Sequence, residues 1–529
     1  MYHILISDKL GKAGLVRLDE IEDVRYDMKI GLSEAELAAI IPDYDALIIR
    51  SGTQVTADVL AAADKLKVVG RAGIGVDNID IPAATLRGVI VMNTPGANSI
   101  ATAEQTLALM LAASRFTAQS HASLLAGEWD RSQFAGTELN DKTLGIIGFG
   151  RVGRLVAERA QAFGMDVIAY DPYVSEEVGR EVGVLLVDLE DLLPQADIIT
   201  LHTAVTPETT KMINADTLNQ MKNGVILVNV ARGKLIDETA LVEALQSGKV
   251  KMAALDVFSN EPPKNNPLIG LPTVLHTPHL GASTIEAQHN VATQIVDQVV
   301  DALRQTDFRN ALNMPFQAGL DFRAIRPYIA LAEKIGNLHA GLAEGPIHTV
   351  EVEVNSDMLE EIVRAIAAGL LIGLLEKEHT KPLNYISAPV IADRKGMQIN
   401  QTTGKSPVPA NYPNTITCRV LGDGWERLVA GTLFNDGQPG IIRLDDYQLN
   451  VRPVGSILIL KNKDVPGVMG QIGTILAAYE VNIGEWRMGR DEPGGIALSF
   501  INLDSIPPQV TLDTLLKITA VTEVKLVNL

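Results

Sequence analysis

The feature that most constrains this chain is a hexapeptide, Gly148-Phe149-Gly150-Arg151-Val152-Gly153, set between an apolar run over 144–147 and a helical pattern over 152–163. Three glycines at this spacing fit a strand that turns sharply into a helix. Gly148 allows the tight turn, Gly150 lets a pyrophosphate approach the backbone, and Gly153 lets helix and strand pack closely. The helix N-terminus then offers amide donors and a partial positive charge to an anion. A second strand pattern over 166–170 ends at Asp171, eighteen residues after Gly153, where a carboxylate accepts from ribose hydroxyls. The combination predicts a dinucleotide site on a parallel α/β sheet. A carboxylate there repels a 2′-phosphate, so NAD is expected over NADP.

The surrounding pattern supports this class. Strand-like runs over 143–147, 166–170, 198–201, 224–229, 252–256 and 274–276 alternate with helical patterns, as a doubly wound sheet requires. A similar series precedes it, with strands over 3–6, 46–49, 68–70 and 90–92 and helices over 33–40 and 57–63. A helix over 98–115, capped by Asn98 or Ser99 and apolar on nearly every face, should lie buried between domains. A long helix over 285–304 could return to the first series. The expected fold is therefore α/β with two Rossmann-like doubly wound domains, one inserted in the other: 1–97 with 287–314 enclosing 98–286. Beyond 315 the character changes. Helices over 329–342 and 356–375 and strands over 348–355, 415–421 and 428–435 predict an α+β intervening domain over 315–452, with 395–413 read as turns and loops. The last segment, 453–529, reads strand, helix, strand, strand, helix, strand, the order of a ferredoxin-like unit.

Composition narrows the partners. Lys plus Arg number 45 against 64 Asp plus Glu, a net charge of −19, which makes nucleic acid a poor partner. The one cysteine, Cys418, forms no internal disulfide, and no cysteine cluster offers a metal site. The start of the chain lacks a basic segment before an apolar one, and the apolar stretch 362–375 is too short to span a bilayer. A cytoplasmic protein without membrane contact is expected.

Three segments carry candidate chemistry, each after a strand of the nucleotide domain: Asn229-Val230-Ala231-Arg232-Gly233, Asp256-Val257-Phe258-Ser259-Asn260-Glu261-Pro262 and His276-Thr277-Pro278-His279-Leu280-Gly281-Ala282. Ligands of open α/β sheets bind beyond the carboxyl ends of strands, so these loops can converge. Hydride removal from an alcohol needs a base for the hydroxyl proton, and His279 is suited to it. Glu261 would orient that histidine and favour its protonated form. Arg232 would pair with a substrate carboxylate and polarise the carbonyl.

These motifs, with GFGRVG, NVARGKLID, LDVFSNEP and HTPHLGAS quoted as they stand, resemble the D-isomer-specific 2-hydroxyacid dehydrogenases. The length and the two extra C-terminal regions resemble the long-form members of that family, which act on D-3-phosphoglycerate. The resemblance implies an NAD-dependent oxidation, with Arg232 on the substrate carboxylate, His279 as acid/base and Glu261 as its partner. It also implies cofactor contacts from Arg151, Val152, Asp171, Thr203, Val230, Ala231, Asp256, Gly281 and Ala282, beside the three glycines and with Arg232 and His279 close by. In the N-terminal region it implies that backbone amides near Gly73 and Ile74 bind the carboxylate and that Arg50 and Arg71 meet the phosphate. Trp129 and Arg131 resemble family residues near the dimer contact and the site.

The segment Asp464-Val465-Pro466-Gly467-Val468-Met469-Gly470, followed by Val481-Asn482-Ile483, resembles an ACT regulatory domain. That implies an L-serine effector met by Asp464 and Asn482; the apolar crossing helix and Trp129 suggest a homodimeric core, which paired regulatory domains could join into a homotetramer. Two rivals remain at this stage. A related dehydrogenase with another side-chain pocket would be indifferent to the phosphate. An NAD-sensing binding protein on the same fold would bind NADH without turnover.

Overall fold

Short aliphatic runs that are buried on both faces form the parallel strands of the first two sheets, as expected where helices cover both sides. The computed structural model describes residues 1–315, 320–379, 382–403 and 412–529. Its first sheet has strands β1 (Tyr2–Ile6), β2 (Val24–Met28), β3 (Ala46–Ile49), β4 (Val68–Arg71) and β5 (Ile90–Met92), all parallel, in the order β2-β1-β3-β4-β5. Strand β2 falls in sequence that reads as turn-rich; at the sheet edge it buries Val24, leaves Tyr26 and Asp27 partly buried and exposes Arg25 and Met28. The helix Glu34–Ile40 starts where Ser33 and Glu36 form a reciprocal capping box, satisfying two of the helix's free amides.

The second sheet holds seven parallel strands: β6 (Thr143–Ile147), β7 (Asp166–Tyr170), β8 (Leu185–Leu186), β9 (Ile198–Leu201), β10 (Val225–Asn229), β11 (Val250–Leu255) and β12 (Val274–His276), in the order β12-β11-β10-β9-β6-β7-β8. The order reverses beside β6, and the crevice at such a reversal is where ligands bind. The helix Ser99–Ser114 lays Ala103, Leu107, Met110 and Ala113 onto this sheet's core, but Ile100 remains 57% exposed. It is thus not buried on every side, and Asn98 at its start makes no side-chain capping bond. The helix Ile285–Leu303 returns to the first sheet, packing Ile295 and Val299 against Ile4, Ile48 and Val68.

The third sheet comprises β13 (Ile347–Val354), β14 (Gln398–Thr403), β15 (Ile416–Gly422), β16 (Trp425–Leu433), β17 (Pro439–Leu444) and β18 (Tyr447–Val451), in the order β14-β13-β15-β16-β17-β18. Two departures from expectation occur here. Part of the segment read as loops forms β14, which pairs parallel with β13 as a polar edge strand, while 404–411 lie outside the described residues. The single helix expected over 356–375 is two, Asp357–Glu360 and Val363–Leu375. The helix Phe322–Leu342 starts earlier than its apolar pattern, because Asp321 caps it through the Arg323 amide. The fourth sheet, β19 (Ser456–Lys463), β20 (Ile483–Arg490), β21 (Ile496–Leu503) and β22 (Val521–Asn528), is antiparallel in the order β20-β21-β19-β22, with helices Val468–Ala478 and Gln509–Leu515 between strands. That is a ferredoxin-like unit.

One core cluster runs from the first sheet through Phe308 and Phe322 into the third sheet and reaches Ile457 and Phe500 of the fourth, whereas the seven-stranded sheet has its own cores on its two faces.

Within the continuous core, His339 is fully buried. Burial pushes its imidazole down to about 3 from the ordinary 6.5, opposed by a backbone contact to Cys418 and aided by the charge of Arg427. A buried neutral histidine must charge when acid unfolds the chain. The folded value lies below the unfolded one, so its stabilisation is complete above pH 6.5 and is lost as pH falls toward 3. The variant His339→Leu is therefore expected to unfold at lower pH than the parent in an acid titration followed by circular dichroism. An unchanged or higher midpoint would show that another group governs acid unfolding.

Candidate active site

Every candidate of the nucleotide domain leaves the carboxyl end of a strand. Gly148 follows β6 with a positive φ of 96°, and a Cβ there would meet the His202 carbonyl carbon at 2.6 Å. At Gly153 a Cβ would collide with the Gly148 carbonyl oxygen, so the helix could not approach. At Gly150 a Cβ would meet nothing within 4 Å. That open space above the start of the helix Arg151–Ala162 suits a pyrophosphate. Asp171, just past β7, accepts from the amides of Phe149 (2.9 Å) and Tyr173 (3.0 Å). These bonds tie it to the glycine turn and set its carboxylate beside the place where a ribose would lie.

A cleft of about 810 Å³ opens between the two α/β domains. Arg151, Val152, Thr203, Val230, Ala231 and Arg232 line it from one domain, with Glu261, His279, Gly281 and Ala282. Arg50, Arg71, Gly73 and Ile74 line it from the other. Gly148 and Gly150 lie in the turn that leads to the cleft-lining Arg151 and Val152, Gly153 lies in the first turn of the helix Arg151–Ala162, and Asp171 follows β7.

Within the cleft, His279 Nδ1 and Glu261 Oε2 are 2.6 Å apart. Partial desolvation by itself would raise the Glu261 carboxyl. The bond to His279, the Phe258 amide at 3.1 Å and the nearby charges of His279 and Arg232 together hold it below its ordinary value. The pair therefore leaves Nε2 as the histidine's unused nitrogen. His279 has φ of 56°, a left-handed conformation that few non-glycine residues adopt and that recurs at functional positions.

Asp256 locks this conformation. It is fully buried, its carboxylate accepting from Thr277 Oγ1, the Leu280 amide and the Gly281 amide, while its carbonyl accepts from the His279 amide at 2.9 Å. Its carboxylate thus braces the loop that carries His279 and the cleft-lining Gly281.

Arg232 is held from both domains. Its Nε donates to Asp77 Oδ2 at 2.9 Å and its Nη1 to the Ala231 carbonyl at 2.7 Å, leaving Nη2 as the guanidinium nitrogen with no internal bond among the described residues. The turn is set by the buried Asn229, which accepts from the Ala231 amide at 3.0 Å and donates to the Arg232 carbonyl at 2.9 Å. Opposite lies Arg71. Burial, chiefly, and the charges of Arg232 and Arg50 lower its guanidinium to about 10, against the opposing pull of Asp77 and Asp8. It stays charged at neutral pH, and its buried Nε has no hydrogen-bond partner. Three cations facing one cleft in an acidic protein make an anion site.

The Gly73 amide is not available as expected, since it donates to the Arg71 carbonyl at 2.9 Å. The amides of Ile74, Gly75 and Val76 make no bond among the described residues, and all three residues line the cleft. His202 also lines it, and the sequence reading passed it over. It follows β9 and so obeys the same strand-end rule as the others. Its Nε2 lies 3.1 Å from Thr200 Oγ1, and burial pushes it down to about 3, which keeps it neutral.

The effector candidates lie elsewhere. Asp464 accepts from Arg490 Nη1 and the Gly494 amide, both at 3.2 Å, and Asn482 donates to Asp504 at 2.6 Å. Both are already partnered within the chain. A cavity of about 430 Å³ beside the helix Val468–Ala478 is lined instead by Gly467, Gly470, Gln471, Thr474 and Ile475. Among the described residues no group of three His, Cys, Asp or Glu could hold a metal ion, and no helix is long and apolar enough to cross a membrane.

Comparison with known proteins bears on this geometry. Residues 107–281 match the family model of the D-isomer specific 2-hydroxyacid dehydrogenase, NAD binding domain. Residues 324–445 match the D-3-phosphoglycerate dehydrogenase intervening domain. The chain is 42% identical to the D-3-phosphoglycerate dehydrogenase of Methanocaldococcus jannaschii, over 100% of both chains. It is 38% identical to that of Bacillus subtilis, again over 100% of both. Among solved structures, the D-lactate dehydrogenase of Aquifex aeolicus complexed with NAD and lactic acid aligns with a TM-score of 0.52 at 26% identity, covering 57% of this chain and 96% of that one. A glyoxylate reductase from Paecilomyes thermophila aligns at 0.55 and 32% identity, covering 59% and 98%. The loops that converge on the cleft thus sit on a shared scaffold, and the chain belongs to the D-isomer-specific 2-hydroxyacid dehydrogenase family, in the branch that carries the phosphoglycerate dehydrogenase intervening domain.

Proposed function

We infer that the chain catalyses the NAD-dependent oxidation of D-3-phosphoglycerate to 3-phosphohydroxypyruvate, the opening reaction of the phosphorylated route to serine. The observation that carries this reading is the His279–Glu261 pair facing a cleft lined by Arg232, Arg71 and Arg50. Its substrate is the one acted on by the full-length relatives. The glycine turn, the open face at Gly150 and the carboxylate of Asp171 fit NAD. When bound, NAD takes up the hydride from C2 of the substrate.

The chain's own residues do the rest. Arg232 Nη2 and the free amides of Ile74 and Gly75 hold the substrate carboxylate, which orients C2. His279 Nε2 accepts the C2 hydroxyl proton as the carbonyl forms, and the Glu261 carboxylate stabilises the resulting imidazolium. Arg71 and Arg50 meet the phosphate dianion. Asp256 keeps the His279 loop in its strained shape throughout.

Regulation and assembly belong to the same reading. L-serine would act on the ferredoxin-like domain, which packs into the continuous core through Ile457 and Phe500. The chain would form a homodimer, or a tetramer if regulatory domains also pair. This is supported by Leu124, Leu125 and Trp129, exposed at 56%, 76% and 78% around the helix Thr117–Leu125, which buries no residue of its own. A cytoplasmic location suits such an enzyme.

The test is NADH formation from D-3-phosphoglycerate with and without L-serine. Turnover suppressed by serine is the expected result. Turnover indifferent to serine keeps the reaction and removes the effector. No turnover in the folded protein removes the substrate assignment.

A further inference from the structure

Glu261 sits on an exposed loop. Asn260, Glu261, Pro262, Lys264 and Asn265 are all exposed, and between Ser259 and Asn266 the only backbone–backbone bond among the described residues is from the Lys264 amide to the Pro262 carbonyl. A carboxylate that must hold a histidine ring at 2.6 Å cannot ride on a loop free to wander, because ordering such a segment costs conformational entropy at every residue.

The restraint comes from Glu238, the first residue of the helix Glu238–Gln246. Its Oε1 accepts from the Ser259 amide at 2.8 Å, and its Oε2 accepts from Ser259 Oγ at 2.7 Å and Asn266 Nδ2 at 2.9 Å. Asn266 in turn accepts from the amide of the fully buried Leu268 at 2.9 Å. One carboxylate therefore closes the loop at both ends, with Glu261 between them.

The same element ties in Arg232. Gly233 lies against the backbone of Phe258 and Ser259 so closely that a Cβ would overlap both. The turn that presents Arg232, the loop that presents Glu261 and the helix that starts at Glu238 are thus one packed unit. No salt bridge to Glu238 occurs among the described residues, so its charge is spent on the loop.

We propose that Glu238 is a positioning residue for the oxidation: it fixes Glu261, and through Glu261 the ring of His279. The proposal rests on the acid/base reading of the His279–Glu261 pair. If correct, Glu238→Ala lowers kcat roughly 10- to 100-fold, the scale of loss when a reacting group shifts by about 1 Å, while the KM for NAD stays near that of the parent. Glu238→Gln keeps one carbonyl acceptor for the Ser259 amide but turns an NH₂ toward the other donors, so it falls between parent and alanine variant.

The deciding measurement is a double-mutant cycle with Glu261→Gln, run by steady-state kinetics on full-length chains whose melting curves show them folded. If Glu238 acts through Glu261, Glu238→Ala adds no further loss in the Glu261→Gln background. Losses that multiply would overturn the proposal, since Glu238 would then be acting by another route. Full activity of the Glu238 variants beside an impaired Glu261→Gln would overturn it too. An unimpaired Glu261→Gln would instead sink the acid/base reading beneath it. Should the alanine variant fail to fold, the glutamine variant carries the same cycle.

Discussion

Replacing His279 with alanine is expected to cut kcat for D-3-phosphoglycerate by about 10³, within the 10²–10⁴ range of a positioned acid/base, and to leave NAD binding largely intact. The expectation follows from how the ring is held. Nδ1 is committed to Glu261 at 2.6 Å, so Nε2 alone is free to take a proton. In the proposed reading NAD is held mainly at the glycine turn and Asp171, which follow β6 and β7 rather than the strand before this loop. The backbone complicates a simple alanine test. His279 has φ of 56°, and alanine pays more than asparagine to adopt it. The companion variant His279→Asn tolerates that conformation and lacks a base. If both variants lose turnover alike while a fluorescence titration shows NADH still bound, the loss is of proton transfer. If the asparagine variant keeps substantial turnover, the loop's shape matters and the histidine does not act as base.

How much of this was legible beforehand depended on whether the signal was local. The glycine turn could be read because each glycine answers a short-range demand: a positive φ at 148, a helix contact at 153, and open space at 150. The convergence of Arg232, Glu261 and His279 could be read because all three follow strands of one parallel sheet, and that topology brings the loops together. His202 obeyed the same rule but stood out less. What escaped were partners fixed by the tertiary fold. The resemblance assigns Asp256 to the cofactor, and nothing local in the sequence shows that its buried carboxylate also braces the neighbouring loop. Glu238 looks like an ordinary residue of a helix's first turn, and nothing in the sequence says that a loop over twenty residues away will fold back onto it. The Gly73 amide was lost to an internal bond that no composition reveals. Strand β14 escaped because its Gln, Asn and Thr residues pair at a polar edge, where no apolar alternation marks a strand.

Arg71 should decide whether the cleft prefers a phosphorylated substrate. The variant Arg71→Ala is expected to lower kcat/KM for D-3-phosphoglycerate by about 10- to 100-fold, corresponding to the roughly 1.5–3 kcal/mol of a hydrogen bond to a charged group. The effect should fall on the phosphorylated substrate and spare D-glycerate, which lacks the dianion. The structure favours Arg71 over Arg50 for this role. Burial and two neighbouring guanidiniums already push Arg71 down to about 10, so the chain's own groups compensate its charge too little, and its Nε is buried without a partner. A phosphate dianion relieves both deficits at once, whereas removing the arginine relieves them without any ligand. The variant should therefore be no less stable than the parent while being a poorer enzyme. That pairing of outcomes separates a substrate contact from a structural ion pair, whose loss would lower the melting temperature. Equal losses on D-3-phosphoglycerate and D-glycerate would place Arg71 at the carboxylate or in the scaffold, and would leave the phosphate to Arg50.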